Sequence, residues 1–176
     1  ELSHNRGFSY IEENEPLDMR MSQDLGVTAK DLLNVLSEKQ LTELFRKYGE
    51  EKFAHRIAKE IKKEENPLET VGDLTRLIYK ASPADNSNKN PSRRVFQALR
   101  IVVNDELESL KEALDKSFEL LQSEGRLSVI TFHSLEDRIV KNYFSDKARS
   151  GEGELLFKSP IAPTDIELEQ NSRSAS

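Results

Sequence analysis

Apolar residues recur at helical spacing along most of this chain. Phe96, Leu99, Val103, Leu107, Leu110, Leu114, Phe118 and Leu121 step by three or four residues. That spacing predicts one long helix, or two broken near Asn104-Asp105. Earlier in the chain, Thr28 is placed to cap a helix carrying Leu32, Leu33 and Leu36. Ser37 with Gln40 reads as a capping box for a second helix through Leu41, Leu44 and Phe45, ending at Gly49. A third is predicted over Glu50–Glu65, with Phe53, Ile57 and Ile61 four apart, and Asn66-Pro67 stops it. Thr70–Ala81 gives a fourth through Val71, Leu74, Leu77 and Ile78, and Ser82–Ser92 reads as a loop.

The period changes once. Leu127–Phe132 is a short apolar run introduced by Gly125, and it predicts a buried strand. A helix over Leu135–Ala148 follows at once, and Glu154–Lys158 is a weaker strand candidate. Glu1–Asp24 is irregular and polar. The order suggests a helical block interrupting an α/β unit, and so an α/β fold class for a stretch that is itself mostly helical. The seven glycines are scattered and none sits in a Gly-rich turn after a strand. The rest of the sheet and any cofactor loop are therefore expected before Glu1.

Charge and composition narrow the function. The net charge of -6 argues against coating nucleic acid through bulk positive charge, so RNA contact has to come from local basic patches. The absence of cysteine excludes disulfides, thiolate metal sites and cysteine nucleophiles, and fits a cytoplasmic location. No apolar stretch approaches the roughly 18 residues that span a bilayer.

Three groups of residues carry candidate chemistry. Phe132–Asp137 reads FHSLED, at the carboxyl end of the predicted strand, where open α/β sheets bind ligands. Ser134 with Asp137 reads as a helix N-cap, which leaves His133 without a structural explanation. Adjacent His133 and Ser134 diverge from a strand end, and no G-x-S-x-G elbow is present, so a hydrolase triad is excluded. Pro16–Met21 reads PLDMRM, in which Asp18 and Arg20 form either a surface pair or a site lined by the chain's only two methionines. Basic residues gather at Lys89, Arg93, Arg94 and Arg100, and at Arg138, Lys141, Lys147 and Arg149, where they could meet phosphates. His4 and His55 are isolated, and no spacing suggests a metal site.

Taken in order, RGFSY…PLDMRM, YGEEKFAHRIAKEI, RRVFQALRIVVNDELESL and GRLSVITFHSLEDRIVK strongly resemble the bacterial ribosomal RNA small subunit methyltransferase H family, also called MraW. The likeness runs from Arg6 to the NSRS near Ser174, although the tail reads NSRSAS where the family usually shows NPRARS. The resemblance implies an S-adenosylmethionine-dependent enzyme that methylates the exocyclic N4 amine of a cytidine in the decoding region of small-subunit ribosomal RNA. It implies a Rossmann-like methyltransferase domain, here residues 1–25 and 91–176, with a helical substrate-recognition insert over 26–90. The partner would be the small ribosomal subunit, with no membrane, and the protein could pair as a homodimer. A family cofactor contact, a glutamine, falls at Glu1, where this chain has glutamate. Within this reading Asp18 accepts a hydrogen bond from the amine and Arg20 orients it. His133 and Ser134 line the cytidine pocket, and Arg93, Arg94, Arg100, Arg138 and Lys141 meet RNA phosphates. The competing class is a non-catalytic helical module that binds RNA or a protein partner.

Overall fold

The computed structural model describes residues 5–82, 90–157 and 159–171. The candidates Glu1, His4 and Lys89 lie outside the described residues. Among the described residues eight helices follow one another: α1 (Ala29–Val35), α2 (Glu38–Gly49), α3 (Ala54–Lys63), α4 (Val71–Ala81), α5 (Ser92–Asn104), α6 (Glu106–Glu119), α7 (Ser134–Arg149) and α8 (Asp165–Gln170). The chain divides into two compact units, Glu1–Glu106 and Leu107–Ser176. Packing thus groups the flanks of the helical block with that block, whereas the sequence pattern separates residues 26–90. No helix among the described residues is long and apolar enough to cross a membrane.

Local chemistry starts the helices of the first unit. Thr28, Ser37 and Thr70 each accept the backbone N–H three residues on, and Asp31, Gln40 and Asp73 reach back to the cap N–H. Such a cap contributes about 1 kcal/mol. Backbone sign moves one predicted boundary and fixes the break that the pattern offered near Asn104-Asp105. Glu50 lies at φ 50 and closes α2, so α3 begins only at Ala54 rather than at Glu50. Asp105, at φ 49, separates α5 from α6, so the long periodic stretch is two helices.

In this unit α2 packs on α3 and α5, and α3 packs on α4. Phe45, Leu41, Ile57, Leu74, Leu77 and Leu99 are fully buried in one core. Leu17 and Met19 from the irregular entry join it. Gly49 lets α2 close on α5, because a Cβ there would stand 2.5 Å from the Arg94 carbonyl oxygen.

The second unit has a thinner interior. Tyr143 on α7 donates its hydroxyl to the Leu114 carbonyl at 3.2 Å and meets Phe118 edge-on at 6.2 Å. Lys147 lies 4.4 Å from the Phe118 ring centre and pairs with Glu152 at 2.8 Å. α8, which the sequence reading did not anticipate, is capped by Thr164 and Glu167.

The α/β expectation needs correction here. Among the described residues there is no strand, only an isolated antiparallel bridge between Pro16 and Thr70. Residues 127–132 are irregular, and so are the described residues of the Glu154–Lys158 candidate. The first segment still alternates: Leu127, Val129 and Thr131 are half-buried, while Ser128, Ile130 and Phe132 are exposed. The pattern of a strand is present without a neighbour to form its ladder, and a ladder is what makes a strand.

Candidate active-site loop

The Pro16–Met21 loop is held by its own backbone and by side chains from three directions. Leu17 N donates to Glu69 O at 3.1 Å, Lys30 N donates to Leu17 O at 2.7 Å, and Ala29 N donates to Asp18 O at 2.9 Å. Met19 N donates to Arg6 O at 2.7 Å. Beneath the loop Gly7, at φ 72, comes so close that a Cβ would lie 2.3 Å from the Pro16 carbonyl oxygen. The Glu15 carboxylate accepts Asn5 N and Gly7 N, each at 2.8 Å. Met19 sits at φ 60, a left-handed conformation that costs a non-glycine residue about 1–3 kcal/mol unless its surroundings impose it. Here its side chain is anchored in the core, 1 % exposed.

The result is one carboxylate in a defined pose. Asp18 Oδ1 accepts Arg20 Nε at 2.7 Å and Arg20 N at 3.1 Å, and Oδ2 accepts Arg20 Nη2 at 3.0 Å. Arg20 Nη1 is occupied by the carbonyls of Leu25 at 2.8 Å and Gln23 at 3.2 Å. The guanidinium is therefore fully directed, and the pair is bidentate. A carboxylate offers about four acceptor positions, and these contacts leave one on Oδ2. The two side chains are each 23 % exposed, so the pair is partly open to solvent. The Arg20 side-chain hydrogen bond holds Asp18 below its ordinary value of 3.8, helped by the Arg20 backbone N–H and the charges of Arg20 and Arg6, against partial burial. The group is an acceptor, not a donor, at neutral pH.

His133 and Ser134 belong to the second unit. Ser134 is not the N-cap of α7 but its first residue; His133 is the cap. His133 Nδ1 accepts the Glu136 N–H at 3.3 Å, and Glu136 Oε2 returns to Phe132 N at 2.8 Å. The ring thus carries its proton on Nε2, which lies 3.5 Å from Glu136 Oε1. This capping role is what the sequence reading lacked for His133, because imidazole is an uncommon cap and the Ser-x-x-Asp pattern one residue on is a commoner one.

The basic candidates divide by their bonding. Arg93 and Arg94 are exposed on α5. Arg100 is held by Glu106 through Nε–Oε1 at 2.8 Å and Nη2–Oε2 at 3.0 Å, and Lys141 pairs with Asp137 at 2.6 Å. Arg138 is exposed on α7. His55, on α3, is an exposed residue 3.5 Å from Glu38. The sequence reading missed Arg6 and Asn104, whose bonds to the loop cross up to 85 residues of chain, and Glu15, which holds the Gly7 backbone beneath it. None of the described residues forms a Gly-rich turn between a strand and a helix, so none is assigned to a nucleotide-like cofactor.

The loop thus presents an oriented carboxylate, ionised at neutral pH, on a mostly helical chain. The model of the MraW methylase family matches residues 2–176, and the chain belongs to this methyltransferase family.

Proposed function

We propose that this chain acts in S-adenosylmethionine-dependent N4-methylation of a cytidine in the decoding region of small-subunit ribosomal RNA, as a cytoplasmic enzyme whose partner is the small ribosomal subunit. The observation that carries the reading is the fixed Asp18 carboxylate with its open position on Oδ2. Family membership over residues 2–176 supports the methyltransferase class.

A cytosine amine is a weak nucleophile because its lone pair delocalises into the ring. S-adenosylmethionine supplies an electrophilic methyl group when bound. Asp18 Oδ2 accepts a hydrogen bond from one amine N–H, which raises electron density on N4 and stabilises the positive charge that develops there, and the carboxylate takes that proton as the N4–methyl bond forms. Arg20 keeps the carboxylate ionised and oriented. The base has to leave its RNA stack to reach the loop. Arg93, Arg94, Arg100, Arg138 and Lys141 meet phosphates, Arg100 and Lys141 on exchanging the acidic partners Glu106 and Asp137, and Arg138 on exchanging its own contacts. Residues 1–25 and 91–176 are read as part of a Rossmann-like domain and 26–90 as its recognition insert. The alternating burial of Leu127–Phe132 supports a strand there once a neighbouring strand is supplied.

The test is methyl transfer from labelled S-adenosylmethionine to undermethylated small subunits by the full-length protein, with the modified nucleoside identified by mass spectrometry. N4-methylcytidine is the expected product, and Asp18→Asn is expected to lower kcat by about 100-fold or more. Full activity in Asp18→Asn would remove Asp18 from the mechanism. RNA binding without any methyl transfer by the wild type would favour the non-catalytic module.

A further inference from the structure

We infer that Asn104, with Arg6 on the opposite edge, is the positioning residue that keeps the Asp18–Arg20 pair in register; this rests on the Asp18 reading above. Asn104 is the last residue of α5. Its Nδ2 donates to Arg100 O at 2.9 Å, which fixes the amide plane against its own helix. The same Nδ2 donates to Met19 O at 2.8 Å, and Oδ1 accepts Met21 N at 2.6 Å. These two bonds straddle Arg20. One side-chain amide thus holds a backbone acceptor before Arg20 and a backbone donor after it. Arg6 serves the other edge: its carbonyl accepts Met19 N, and its Nη1 donates to Arg20 O at 3.0 Å and Met21 O at 3.2 Å.

The bland alternative is that Asn104 only finishes α5. The bond to Arg100 O would satisfy that role alone. It leaves unexplained why the remaining donor and the acceptor both go to a loop more than 80 residues away in sequence. With the backbone bonded on both edges, Met19 is held in its left-handed conformation, and Arg20 leaves the loop on the side that meets Asp18. Neither Asn104 nor Arg6 is placed on substrate. They act through the loop.

Two variants of the full-length protein test this. Asn104→Ala removes both loop bonds. Asn104→Asp keeps the shape and the acceptor but sets a carboxylate oxygen against two carbonyls, so it needs no cavity to act. The first readout is the Arg20 Nε–H signal in nitrogen-15 NMR, which reports the Asp18 bond without any assay of activity. It is expected to exchange with solvent about 10-fold faster or more in both variants. The second readout is kcat against KM: kcat is expected to fall about 10- to 100-fold, with both KM values within about twofold. The Asp18→Asn, Asn104→Ala double variant is expected to be no worse than Asp18→Asn alone. An unchanged Arg20 signal overturns the inference, as does an unchanged kcat in a background where Asp18→Asn is inactive. If Asp18→Asn is itself fully active, the catalytic reading fails, and the NMR result decides the clamp alone. If Asn104→Ala does not fold, Asn104→Asp and Arg6→Lys are read in its place.

Discussion

The two compact units treat their apolar side chains differently. In the first, twenty-two buried hydrophobic residues form one continuous core, fed by α1 to α5 and by the entry loop. In the second, Leu114, Leu135 and Val140 are buried, while Leu120, Ile130, Phe132, Leu156, Phe157 and Ile161 are exposed. Ile130 is 82 % exposed and Phe132 61 %. The first unit closes its own interior because amphipathic helices with short connections bury each other's apolar faces. The second combines the helices α6, α7 and α8 with a strand-like segment, whose stability depends on a neighbour in the ladder direction.

The largest effect that would sharpen this contrast is a core truncation. Phe45→Ala is expected to cost about 3–5 kcal/mol in urea unfolding of the full-length protein, whereas Val140→Ala costs less than half of that. Equal losses would mean that the second unit is as tightly packed as the first. A smaller effect comes from glycine. Gly49→Ala drives a Cβ to within 2.5 Å of the Arg94 carbonyl and is expected to cost about 1–3 kcal/mol, while Gly153→Ala meets only the Phe118 ring at 3.6 Å and is near neutral. A neutral Gly49→Ala would show that α2 and α5 are free to part.

The smallest effect is in pH. Lys63 first, and then Lys80, hold Glu60 down from 4.5 to about 2. A carboxylate whose folded pKa is lowered stabilises the fold fully above its unfolded value and loses that contribution as pH falls through the folded one. The midpoint of thermal unfolding should therefore drop more steeply between pH 4.5 and about 2 in the wild type than in Glu60→Gln. Glu152, held below its ordinary value first by Lys147 in the second unit, is the comparison: Glu152→Gln should change the slope less, because its side chain is half exposed and screened. Parallel slopes for wild type and Glu60→Gln would rule out the Lys63–Glu60–Lys80 cluster as a source of acid sensitivity.

What was legible in the residues divides along the same line. The helices of the first unit, the Ser37–Gln40 box, the Thr28 and Thr70 starts and the break near Asn104-Asp105 were all readable from local pattern. The Asp18–Arg20 pair could be posed as a choice between surface and site, and the structure shows a bidentate, half-buried pair. The helix boundary at Glu50 and the His133 cap were misread because both turn on backbone conformation and on an unusual cap, which composition does not signal.

The sequence by itself determined the helices, since each of their bonds joins residues four apart and each cap joins residues three apart. Only the tertiary structure decided the rest. Leu127–Phe132 has the alternation of a strand, but a strand is a pairing, and no partner is supplied among the described residues. The pose of Asp18 was equally out of reach, because its loop is held by Arg6, Glu69 and Asn104, brought together across as many as 85 residues by the packing of helices between them.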